Sequence, residues 1–169
     1  MKGAILSGRI AAAILLTFAT CYALKRWTIM PLRCARATWH GEQDLERAEQ
    51  QSDASQRRVA AGIRMGLRDC ESVANEELFS TLAEASDALG DPKSAMVEYQ
   101  RALQFDRRPE IYFARGMSAL TALDHKAAIK DLAIACAFAP ARLADIPYEG
   151  IRREVRQRVL ASYGDDWLR

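Results

Sequence analysis

Little in this chain of 169 residues suits sheets or tight loops. It has nine glycines and five prolines, and its β-branched residues never alternate with polar ones over the length of a strand. A sandwich or barrel is therefore excluded, and an all-α protein is expected. Histidine is scarce, with only His40 and His125, and no two of Cys21, Cys34, Cys70 and Cys136 form a CxxC pair. No zinc or other metal site is expected. Three of the cysteines lie beyond the first apolar run, an odd number that fits no closed disulfide framework. Cys70 and Cys136 accordingly read as small core hydrophobes. A glycine-rich phosphate loop and a nucleophile elbow are both missing. Glu76-Glu77 and Asp165-Asp166 are paired acids, but at a helix start and in a tail, where solvation explains them. His40 has no partner acid placed to orient it. The chain is expected not to be an enzyme and to use no cofactor, no nucleic acid and no small-molecule substrate.

Acid is also missing from residues 1–41, which hold Lys2, Arg9, Lys25, Arg26, Arg33 and Arg36. The net +2 of the whole chain thus leaves −4 for the rest. Within the basic part, Ile10 to Leu24 is an uncharged apolar run. As a helix it spans about 22 Å, and extension back to Ala4 with Arg9 snorkelling brings it toward the ~30 Å hydrocarbon core. Lys25, Arg26 and Trp27 mark a basic and aromatic boundary. The first reading is a retained single-pass anchor over 1–27, followed by a basic juxtamembrane linker over 28–41. Lys25, Arg26, Arg33 and Arg36 would then touch anionic lipid or a partner, or serve only as a topology signal. A cleaved signal peptide is the second reading. The third is a lipoprotein at Cys21, although Phe18-Ala19-Thr20 departs from the lipobox.

What the chain has in quantity is helical periodicity. Residues 42–75 read as a helical segment, polar up to about Gln56, and then with Val59, Ile63 and Leu67 on one face. Gly62 and Gly66 beside them suggest a close helix crossing. Between Gly90 and Pro140 one pattern occurs twice. Gly90-Asp91-Pro92 precedes Ala95, Met96, Tyr99 and Ala102. Leu123-Asp124-His125 precedes Ala128, Ile129, Leu132 and Ala135 at the same internal spacing. Upstream of each copy lies another helical segment, with Phe79, Leu82 and Ala83 in the first and Tyr112, Gly116 and Ala119 in the second. Small residues let two helices approach, and large ones fill the gaps. This pattern over residues 76–142 resembles the tetratricopeptide repeat (TPR) family. Leu123 stands where that family places glycine, and Arg107 where the first repeat should carry its proline. His125 takes a turn position that the repeat usually gives to an aromatic.

The resemblance implies a short α-solenoid of two TPR-like repeats, closed by a capping helix and tail over 143–169. Asp145 reads as the N-cap of that helix, with Pro147 in its first turn. Its apolar face is Ile151, Val155 and Val159, and Arg152 and Arg156 on the other face could touch lipid or a partner. Family members bind on the inward face of the first helix of each pair, which implies Glu77, Glu84 and Asp87 in repeat one and Phe113, Met117 and Leu120 in repeat two. An acidic rim beside an apolar strip suits a basic amphipathic helix, unless the apolar residues simply pack on a neighbour.

The expected function is a membrane-tethered adaptor or accessory subunit of a membrane protein complex. A receptor for basic targeting helices, like the presequence receptor of the outer mitochondrial membrane, is the alternative. An exported chaperone or enzyme is a further one. Charge balance around the apolar run and the odd cysteine count place the repeat domain on the reducing, cytosolic face.

Overall fold

The computed structural model describes residues 14–164. Every regular element among them is a helix: α1 (Met30–Glu49), α2 (Asp53–Leu67), α3 (Glu76–Ala88), α4 (Pro92–Phe105), α5 (Pro109–Thr121), α6 (His125–Phe138) and α7 (Glu149–Tyr163). Short 3-10 turns fill Arg68–Val73 and Pro140–Asp145. Residues 14–24 are also helical and continue through a π-helical turn, Lys25–Ile29, straight into α1.

This continuity bears on the expected anchor, which the structure overturns. No helix among the described residues is long and apolar enough to cross a membrane. Residues 14–24 cover about 16 Å, roughly half of a ~30 Å hydrocarbon core. Past them, Lys25, Arg26, Arg33 and Arg36 interrupt the apolar stretch and stand exposed on the helix. A single-pass membrane protein with a cytosolic domain is not supported. The rest of the expected anchor, with Lys2 and Arg9, and the tail from Asp165 lie outside the described residues.

Side-chain caps set most of the helix starts. Ser52, Asn75, Asp91 and Asp124 each accept a hydrogen bond from the backbone N–H three positions on, those of Ser55, Leu78, Ser94 and Ala127. These bonds satisfy donors that a helix start leaves unpaired. Pro92 and Pro109 fit the first turns of α4 and α5. The turns closing α3–α4 and α5–α6 both pass through the left-handed region, at Gly90 (φ 78°) and at Leu123 (φ 63°). Glycine adopts this conformation freely, whereas leucine is strained there.

Each helix packs chiefly on its neighbours in sequence, and α1 also reaches α3. One buried cluster joins α1–α4 to the start of α5, and a second joins the end of α5 to α6 and α7. Ala95 and Ala128 have no exposed surface at all. Gly116 brings α5 close to α6, since a Cβ there would stand 2.8 Å from Leu132 Cγ. Gly62 and Gly66, by contrast, face open space. The close crossing expected at them does not occur, because α2 packs through Ala60, Ile63 and Leu67 instead.

Two long-range links complete the fold. Cys34 on α1 and Cys70 in the turn after α2 form a disulfide, with Cα atoms 5.6 Å apart. This corrects the reading of Cys70 as a reduced core residue. Parity failed as a guide because Cys136 is buried separately in the second cluster. The other link is ionic. Arg115 on α5 donates two bonds of 2.7 Å to Asp131 on α6, from Nε to Oδ2 and from Nη2 to Oδ1, and another to Gln100 on α4. The side chains of Arg115 and Asp131 are only 12% and 4% exposed. α7 starts at Glu149 and buries Ile151, Val155 and Val159. Asp145, expected as its cap, belongs to the preceding turn, where Arg142 pairs with it at 3.6 Å.

Candidate functional site

Carboxylates from two helices converge on one groove. On α1, Glu42, Glu46 and Glu49 recur at spacings of four and three and so share a face. Leu45 turns from the same face into the core and holds it over α3. From α3 come Glu84 and Asp87, and Tyr99 of α4 forms part of the wall. The groove has a volume of about 320 Å3, and no lysine or arginine is among its lining residues.

Crowding of like charges shows in the titration of these groups. The Glu84 carboxyl is pushed from 4.5 to about 7, first by loss of hydration and then by Glu42, Glu46, Asp87 and Glu49. Its side chain still meets solvent at the mouth, so the groove surrounds the carboxyl without sealing it. Asp87 is pushed up to about 6 by burial, with Asp91 adding to the rise. The Ser118 hydroxyl on α5 opposes this by donating to Asp87 Oδ2 at 2.6 Å. Tyr99 is 4% exposed. Burial, then Glu84 and Asp87, push its phenol upward and keep it protonated. The Tyr99 hydroxyl has no hydrogen-bond partner among the described residues. No fully enclosed side-chain polar atom lacks one, so this hydroxyl opens onto the groove. A buried phenol without a partner is costly unless water or a ligand completes it.

Five carboxylates and a phenol oxygen offer acceptors and negative potential. That arrangement suits an organic cation, above all a guanidinium, whose fork of donors matches a carboxylate. Among the described residues, no group of three or more His, Cys, Asp or Glu side chains is arranged to hold a metal ion.

Of the residues picked out from the sequence, Glu84 and Asp87 line the groove, while Glu77 is exposed at the start of α3, away from it. Phe113 and Met117 are half-buried against the second cluster, and Leu120 belongs to that cluster. Phe113 also lies under the Arg142 guanidinium, 5.2 Å from ring centroid to Cζ. Arg152 and Arg156, with Arg153, line a separate cavity of about 620 Å3 between α7 and the Pro140–Asp145 turn. Lys25 and Arg26 stand in the π-helical turn, and Arg33 and Arg36 on α1, all outside the groove. Sequence reasoning missed Glu42, Glu46, Glu49 and Tyr99. The acids carried a signal in their helical spacing, but in a segment that reads as a solvated helix.

The chain matches no protein-family model, and no curated protein or solved structure gives a significant match.

Proposed function

We propose that the chain is a non-enzymatic protein–protein interaction module, an accessory subunit that holds a cationic segment of its partner in the acidic groove. The observation that carries this reading is the juxtaposition of five carboxylates with an unpartnered, buried tyrosine and no cation in the lining. A TPR-like build is part of the proposal. Two helical hairpins of matching spacing, with Ala95 and Ala128 fully buried and Gly90 and Leu123 at equivalent turn positions, support it. Such modules bind through a face built by successive helices, as this groove is.

A receptor for basic amphipathic helices would use the same acids. Phe113, Met117 and Leu120, however, pack against the second cluster, which leaves the apolar face of such a helix without cover. A plainly cationic segment is the better fit.

The test is titration of the full chain with an arginine-rich peptide. Binding should weaken as salt rises, because groove and peptide attract through charge. Paired Glu46→Gln and Glu84→Gln substitutions should lower the affinity while helicity is kept. Equal affinity in the variant, or no binding by the natural chain, would overturn the reading.

A further inference from the structure

The groove lacks a cation, and elsewhere the same chain carries cations that lack anions. Arg152 and Arg156 make no hydrogen bond or ion pair with any described residue. Arg153 reaches only Glu149, at 3.4 Å on an exposed surface. All three open onto the cavity beside the Pro140–Asp145 turn. Arginines left over in this way differ from Arg115, which the fold neutralises with Asp131.

We infer that the partner of the acidic groove is the arginine face of α7 on a second copy of this chain, so that copies join head to tail. This rests on the groove being a cation site, as proposed above.

Spacing and chemistry favour the pairing. Glu42 and Glu46 are one helical turn apart on α1, and so are Arg152 and Arg156 on α7. At 1.5 Å per residue both pairs repeat at about 6 Å, so two helices lying side by side can match them in register. Each guanidinium can then fork onto one carboxylate. The Tyr99 hydroxyl, buried and without a partner, supplies a further group at the floor. Sign matters as much as spacing. A net charge of +2 imposes little overall repulsion between copies, while the separation of an acidic α1–α3 face from a basic α7 face gives each copy one of either kind. The two surfaces lie on different helices, so the contact is heterologous. It does not close on itself as a two-fold dimer would, and it propagates into chains or rings.

The experiment is sedimentation of the full chain across a concentration series, with two charge-reversed variants. One carries Glu46→Lys and Glu49→Lys, the other Arg152→Glu and Arg156→Glu; circular dichroism checks that both keep their helicity. The natural chain should sediment as species larger than a monomer that shrink on adding salt. Each variant alone should be monomeric, its self-association weakened by about tenfold or more. A mixture of the two should form a one-to-one dimer and nothing larger, since one supplies an intact arginine face and the other an intact groove. Three results would overturn the inference: a natural chain that stays monomeric, assembly untouched by either reversal, and a mixture that stays monomeric. A natural chain that is monomeric yet binds the arginine-rich peptide overturns self-association alone and leaves the groove as a cation site.

Discussion

The two helical hairpins of this protein share a scaffold and differ in how they treat charge. With Ala95 aligned on Ala128, Glu84 and Asp87 of α3 correspond to Met117 and Leu120 of α5, and Tyr99 of α4 to Leu132 of α6. In the second hairpin these positions are apolar and packed against α6 and α7. Its deeply buried charge pair, Arg115 with Asp131, is fully neutralised. In the first hairpin the same positions carry acids, α1 adds three more, and no cation in the lining answers them. The second hairpin is therefore finished internally. The first is left electrostatically open, which is the mark of a surface that another molecule completes.

If that contrast is right, damage to the second hairpin should fall on stability and damage to the first on binding. The largest effect belongs to Asp131→Leu. It strands the buried Arg115 guanidinium and should cost about 3–5 kcal/mol, read as a lower denaturant midpoint with little change in slope. Next comes the disulfide that fastens α1 to the rest. Replacing Cys34 and Cys70 with alanine should cost about 2–4 kcal/mol. It should also weaken peptide binding, because α1 brings Glu42, Glu46 and Glu49 to the groove. Unchanged binding would separate the staple from the site. Gly116→Ala, Ala95→Leu and Ala128→Leu each overfill a closed contact and should cost roughly 1–3 kcal/mol. Wild-type melting in all three would mean that the hairpins are not packed as described. The smallest effect is a gain. Leu123 is strained at φ 63° while 79% exposed, so Leu123→Gly should stabilise the chain by up to about 1 kcal/mol. Thermal melts beside the reverse change, Gly90→Leu, which should destabilise, make the comparison direct.

Local features of the fold were legible where periodicity and capping act over short distances along the chain. Ala95, Tyr99 and Ala102 recur with the period of a helix, and all three are buried. Asp91 and Asp124 precede their helices as capping residues do, and both cap. Glu84 and Asp87 could be singled out by position on α3. The rest of the groove could not, because Glu42, Glu46 and Glu49 arrive from α1, with the whole of α2 in between. On a solvated helix and on a groove wall, such acids read alike. The Cys34–Cys70 disulfide escaped for the same reason, since a count of cysteines carries no distances. The apolar run misled differently. Its hydropathy pointed to a membrane span, yet the helix that contains residues 14–24 continues into charged residues without a break.

The groove carboxylates, on this account, form a cation site, and proton linkage tests that claim. Glu84 and Asp87 bind protons more tightly folded than unfolded, with values of about 7 and about 6 against 4.5 and 3.8. Their ionisation therefore works against the fold. The stability they contribute is greatest below about pH 4 and is lost as pH rises through 6 to 7. A bound cation has the opposite preference, for it requires the ionised forms, within a field set also by Glu42, Glu46, Glu49, Asp91 and Tyr99. The direct measurement is calorimetric titration of the full chain with an arginine-rich peptide near pH 5.5 and near pH 8. The account predicts affinity about tenfold or more higher at the upper pH, and release of protons on binding at the lower one. Affinity that is the same at both, with no proton released, would contradict it.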